Sequence, residues 1–140
     1  MCEVFFVYGT LTDDEQVAGL LDSYRVVGDA VCVGLRRIDG RYPTLVPGDR
    51  VAGRLLETAD GDRLDRYEGV DRGLYHRFSV PVVDEIAPTV SVETATVYIA
   101  EPAGLGIDTA PDAGWPGSGA FADRVADYLA ANPVRIISSK

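Results

Sequence analysis

The segment Leu64-Asp65-Arg66-Tyr67-Glu68-Gly69 carries the residue best placed to move a proton. Leu64 and Glu68 are four residues apart, so on a helix they share one face, with Tyr67 beside them. If Leu64 points into the core, Glu68 is carried towards the interior instead of solvent. A second chemical signal lies at Val4-Phe5-Phe6-Val7-Tyr8-Gly9-Thr10-Leu11. There a continuous apolar run, the pattern of a strand buried on both faces, enters a turn and then the acidic cluster Asp13-Asp14-Glu15. Gly9 lacks a Cβ, so the backbone is free to take positive φ and a ligand can approach it closely. A loop between a strand end and a helix start exposes unpaired N–H groups, which suit a carboxylate or a phosphate. Tyr75-His76-Arg77 is the third cluster.

The elements that must position these groups follow from periodicity and breakers. After the first strand, Asp13 to Leu21 has Val17, Leu20 and Leu21 at helical spacing. Tyr24 to Leu35 reads as a long strand, with Gly28 and Gly34 marking a bulge or bend of the kind a barrel needs. Asp39-Gly40 predicts a hairpin turn, Tyr42-Pro43 a strand end, and Pro47-Gly48-Asp49 a further turn before a strand over Val51 to Thr58. Asp60-Gly61-Asp62 predicts the cap of a short helix, Arg63 to Glu68, stopped by a left-handed Gly69. Strands are predicted over Tyr75 to Asp84, with Pro81 at an edge, and over Thr89 to Ala100. Glu101 to Gly119 is long and aperiodic, as functional lids or linkers are. Phe121, Val125, Tyr128 and Leu129 then mark an amphipathic helix ending near Asn132-Pro133, and Ile136-Ile137 a terminal strand or packing tail. The expected architecture is mixed α/β: one domain, residues 1–140, around a small bent or closed β-barrel with short flanking helices.

Composition narrows the partners. The 140 residues carry a formal charge of -9, which repels nucleic acid and anionic membrane alike. Lys140 is the only lysine beside twelve arginines, and Asp outnumbers Glu, a bias that fits an acidic, salt-adapted proteome. Cys2 and Cys32 are too few for a disulfide framework or a zinc site and read as small buried thiols. No basic leader with an apolar run opens the chain, and no stretch approaches about 18 apolar residues, so a cytoplasmic protein is expected. Oligomeric state leaves no signal in the residues.

In order and spacing, Tyr8-Gly9-Thr10-Leu11, the strand with Val51-Ala52-Gly53-Arg54-Leu55, Leu64-Asp65-Arg66-Tyr67-Glu68-Gly69 and Tyr75-His76-Arg77 resemble the gamma-glutamyl cyclotransferase-like family, roughly from Cys2 to Ala100. Trp115, Gly117 and Gly119 loosely resemble its late Trp/Gly segment. The resemblance implies a small β-barrel with flanking helices and an acyltransferase that forms 5-oxoproline from a γ-glutamyl amide. The substrate's α-amine would attack its own γ-carbonyl and expel the linked amine or amino acid. Tyr8, Gly9, Thr10 and Leu11 would hold the amino-acid end of the glutamyl group, largely through backbone N–H groups, and Glu68 would be the catalytic acid and base. A carboxylate suits both roles, worth about 10²–10⁴ in rate, and burial near Leu64 and Tyr67 would raise its pKa towards the working range. No enzyme nucleophile, metal or organic cofactor is called for, and holding the glutamyl chain folded supplies proximity.

Tyr75 is either a strand aromatic or, by resemblance, a pocket wall, and Tyr98 either packs in the core or lines the pocket. Arg77 reads as a structural ion-pair partner and Asp65 as helix surface or a structural hydrogen-bonder. His76, one residue from Tyr75, should face the other side of the strand and takes no catalytic role. Two rival functions stand beside the enzyme. One is a non-catalytic module that binds a small carboxylated ligand. The other is an acyl-transfer enzyme that removes a γ-glutamyl protecting group from a biosynthetic intermediate.

Overall fold

The computed structural model describes residues 3–9, 14–39, 43–83, 92–101, 115–117 and 119–139. Strand β1 (Glu3–Val7) runs through the middle of a six-stranded sheet ordered β4-β5-β1-β3-β2-β6. Its alternate side chains feed two cores, as a run buried on both faces should. Phe6 joins the larger cluster with Leu35, Leu55, Val97 and Ile136, while Phe5 and Val7 join Val17, Leu56 and Leu64 on the opposite face. Helix α1 (Asp14–Leu20) covers that second face through Val17, which is fully buried.

Strands β2 (Tyr24–Ile38) and β3 (Thr44–Thr58) form a long antiparallel hairpin. β3 pairs antiparallel with β1 through Arg54–Thr58. Gly53 lets this crossing happen, because a Cβ there would lie 2.3 Å from the Val7 carbonyl oxygen. The register shifts between Val26 and Gly28 and between Val33 and Leu35, bulges at the two glycines predicted to bend the strand. The turn predicted at Pro47-Gly48-Asp49 does not form. These residues stay within β3, opposite the second bulge, and Gly48 leaves space for the Arg36 side chain, whose Cγ a Cβ would approach to 2.4 Å. The breakers there bend a strand already held by its partner, which a local turn signal does not distinguish from a reversal.

The bent hairpin brings Thr44, at the start of β3, to the end of strand β5 (Thr94–Ile99), where its Oγ1 donates to the Ala100 carbonyl and accepts from the Ala100 N–H, both at 2.9 Å. β5 runs parallel to β1 and antiparallel to β4 (His76–Pro81), an edge strand as Pro81 predicts. Helix α3 (Phe121–Ala131) packs Val125 into the larger core, and β6 (Arg135–Ser138) extends the sheet beside β2. The two sheet edges meet where Val82 bridges Ile136 and the Val83 N–H donates to the Ile136 carbonyl at 3.0 Å. The sheet is thus a curled, mixed half-barrel with short flanking helices. Among the described residues no helix is long and apolar enough to cross a membrane, and Cys32 is a buried free thiol. Cys2, Gly40-Arg41-Tyr42 of the predicted turn and most of 101–119 lie outside the described residues.

Candidate active site

Helix α2 (Gly61–Tyr67) follows β3 and is seated by Leu64, which is fully buried. Asp60 occupies the N-cap position, and its carbonyl accepts from the Arg63 and Leu64 N–H groups. Its side chain does not cap the helix, contrary to expectation; the carboxylate accepts from the Asp22 and Ser23 N–H groups at 3.2 and 3.3 Å and ties the helix start to the chain after α1. Two unpaired N–H groups from a distant segment compete successfully for the same oxygen. At the other end Gly69 adopts φ 70°, the left-handed stop that was predicted, and leads into a single 3-10 turn, Val70–Arg72.

Glu68 lies at that C-terminal end, one turn beyond Leu64 and on its face. Its half-buried side chain lines a cavity of about 280 Å³ with Tyr8 and Gly9 from the end of β1. Tyr75 and Tyr98 form further wall, so the described members of the predicted set come together from four separate stretches of chain. Thr10 and Leu11 lie outside the described residues. The volume is near the small end of the range for small-molecule sites, about 300–1,000 Å³. Among the described residues Phe6, Val7, Pro43, Leu74, Tyr67 and Arg72 complete the lining. Of these, Tyr67 was expected beside Glu68; Pro43 and Arg72 had no signal beyond their neighbours, a strand end and a glycine-flanked turn.

The turn after β1 is held from several directions. The Tyr8 hydroxyl donates to the Tyr98 carbonyl, and the Tyr8 carbonyl accepts from Arg37 Nη1 at 2.8 Å. Tyr75 donates to the Pro43 carbonyl at 2.6 Å. Gly9 does not have positive φ, correcting the reason proposed for it. The requirement is space, since a Cβ would lie 3.0 Å from Pro43 Cγ.

A polar chain ties α2 to the sheet behind the cavity. The Tyr98 hydroxyl donates to Asp65 Oδ1 at 2.5 Å, and Arg77 Nε reaches the same oxygen at 3.2 Å. Arg77 also pairs with Glu3 of β1, and the Phe5 and Tyr98 rings stack with centroids 5.6 Å apart. Asp65 and Arg77 are therefore structural partners, as their positions suggested, and His76 is absent from this lining.

Electrostatics separates the roles. Burial pushes Glu68 up to about 7, so near neutrality it is poised between acid and base. Tyr8 is held well above the ordinary phenol value by burial and by the neighbouring Tyr75 and Glu68, and remains a neutral donor. Tyr98 is raised by burial and by its hydrogen bond to Asp65. Among the described residues, no group of three or more His, Cys, Asp or Glu could hold a metal ion. The arrangement offers one proton-transfer carboxyl, neutral phenols and a cation at the rim, Arg72.

Residues 5–117 match the model of the family described as gamma-glutamyl cyclotransferase, AIG2-like. No curated protein matches the sequence significantly. Among solved structures, one described as a gamma-glutamyl cyclotransferase is similar with a TM-score of 0.58 and 16% identity, over 94% of this chain and 100% of that one. An uncharacterized protein from Homo sapiens is similar with a TM-score of 0.59 and 20% identity, over 71% of this chain and 66% of its own. A solution structure from Arabidopsis thaliana has a TM-score of 0.55 and 24% identity, over 93% and 85%. At these identities the likeness is one of fold.

Proposed function

The chain belongs to the gamma-glutamyl cyclotransferase, AIG2-like family, and from that premise we propose that it releases 5-oxoproline from a γ-glutamyl amide, with Glu68 as the acid and base. The observation that carries this reading is the shared cavity: Glu68, poised near 7, stands in one hollow with Tyr8 and Gly9 from the far end of β1. The glutamyl group would lie between them, its amino-acid end towards the turn after β1. The α-ammonium gives a proton to the Glu68 carboxylate, and the freed amine attacks the γ-carbonyl carbon. The new C–N bond closes a five-membered ring. As the old C–N bond breaks, Glu68 returns its proton to the leaving nitrogen, which could not depart as an amide ion. The attacking nitrogen sheds two protons in all, and both end on the released amine, which leaves as an ammonium ion at neutral pH. Atoms and charge balance with no further reactant. Confinement of the glutamyl chain in so small a cavity favours the folded, reactive geometry.

The test is 5-oxoproline release from a panel of γ-glutamyl amides by the purified protein, with Glu68→Gln alongside. Turnover is expected for the native protein, with a loss of about 10²–10⁴ in the variant. Equal turnover by the variant removes Glu68 from the mechanism. Tight binding of the conjugates with no turnover makes the protein a binding module instead. Turnover confined to a γ-glutamyl-protected biosynthetic intermediate makes it a deprotecting enzyme.

A further inference from the structure

A second, open hollow of about 460 Å³ adjoins the first. Arg72 and Leu74 line both, so the two adjoin at the turn that follows Glu68. Among the described residues His76, Glu101 and Phe121 form the rest of its side-chain wall. Two of these are rings in contact, His76 and Phe121 with centroids 5.6 Å apart, and Phe78 backs His76 at 6.5 Å. The charges are unequal. Glu101 is already engaged by Arg124, at 3.1 Å, whereas among the described residues no carboxylate pairs with Arg72. The Arg72 guanidinium lies over the glycine next to Glu68, since a Cβ on Gly69 would come within 2.9 Å of its Nη2. A cation with no carboxylate partner among the described residues therefore stands at the border of the two hollows, and a wall of Leu74 and the tilted rings of His76 and Phe121 lies beyond it.

We propose that this second hollow receives the leaving group, and that it selects an aromatic α-amino acid joined to the glutamyl group through its α-nitrogen. The inference rests on the cyclisation proposed above. In such a conjugate the carboxylate is one carbon from the scissile nitrogen, at the border where Arg72 stands, and the side chain extends over Leu74, His76 and Phe121. An amine conjugate lacks that carboxylate. A conjugate through a lysine ε-nitrogen carries it several carbons away and would instead bring a cation towards Glu101. A charge-assisted bond from guanidinium to carboxylate, with ring-on-ring contact behind it, makes Arg72 and Phe121 the specificity determinants.

The experiment compares kcat/KM for 5-oxoproline release from γ-glutamyl-phenylalanine, γ-glutamyl-phenethylamine, γ-glutamyl-alanine and the γ-glutamyl conjugate of the lysine ε-amine. The phenylalanine conjugate is expected to exceed phenethylamine and alanine by about tenfold each. Arg72→Gln should collapse the first ratio towards one while Arg72→Lys keeps part of it, and Phe121→Leu should reduce the second. Equal rates for phenylalanine and phenethylamine, or a ratio that survives Arg72→Gln, overturn the assignment of Arg72 while leaving the cyclisation standing. Fastest release from the lysine conjugate assigns recognition to Glu101 and overturns the proposal too. No 5-oxoproline from any conjugate overturns the cyclisation itself, and this inference with it.

Discussion

Replacing Glu68 with Gln tests the electrostatics of the cavity without any substrate. Burial raises the Glu68 carboxyl from 4.5 to about 7. The unfolded chain gives up this proton near the ordinary carboxylate value and the folded chain near 7, so between the two the folded state holds more protons. A raised carboxyl pKa means that ionisation opposes folding. The stability at this position is full below about pH 4.5 and falls as pH rises towards 7, then levels off. At about 1.4 kcal/mol per unit the whole change is about 3 kcal/mol. The amide in the Glu68→Gln variant does not titrate, while every other ionisable group is common to both proteins and cancels to first order in the difference. Urea unfolding of both at pH 4.5, 6, 7 and 8 reads that difference. Relative to its value at pH 4.5 and below, the variant should gain about 2 kcal/mol on the native protein by pH 6 and about 3 kcal/mol by pH 8. A difference that stays flat from pH 4.5 to 8 would mean the carboxylate is as well hydrated folded as unfolded, and the argument for a poised acid and base would fail.

The same group sets the acid limb of activity: kcat/KM for 5-oxoproline release should be half-maximal near pH 7 and fall about tenfold by pH 6; a limb centred near 4.5 contradicts the desolvation. Gly69→Ala puts a Cβ at φ 70° and within 3.0 Å of Leu74 Cβ and Arg72 Nη2, so thermal unfolding should show a loss of about 1–2 kcal/mol. An unchanged Tm would show that the turn after α2 relaxes freely. Tyr98→Phe removes the donor to Asp65 Oδ1 while Arg77 stays, which should cost about 1 kcal/mol in urea unfolding. No change there would dismiss the tie between α2 and the sheet.

Local chemistry makes several elements readable from the chain alone. The run Phe5-Phe6-Val7 has no polar face to turn outward, so it had to be a strand buried on both sides, and its side chains do enter two cores. Gly28 and Gly34 mark the bulges, and Gly69 ends its helix in the left-handed region. The readings that failed share a cause. Pro47-Gly48-Asp49, the Asp60 side chain and the backbone of Gly9 were each assigned from what a residue type tolerates or prefers nearby. Each was decided by a partner far off in the chain: the β2 bulge with Arg36, the N–H groups of Asp22 and Ser23, and the ring of Pro43.

The candidate site divides along the same line. Residue types and spacing were enough to single out Glu68 and to put it on the face of Leu64, and the family motifs named Tyr8 and Gly9 for the same site, while Tyr75 and Tyr98 stayed open between core and pocket. That these groups share a hollow, that water is thin enough there to push the carboxyl to about 7, and that Arg72 stands where a second hollow opens came only with the folded chain. Desolvation and the meeting of cavities depend on which distant walls close around a group. Those walls are set by the bent β2–β3 hairpin reaching Ala100, a contact between residues 56 positions apart that no local pattern records.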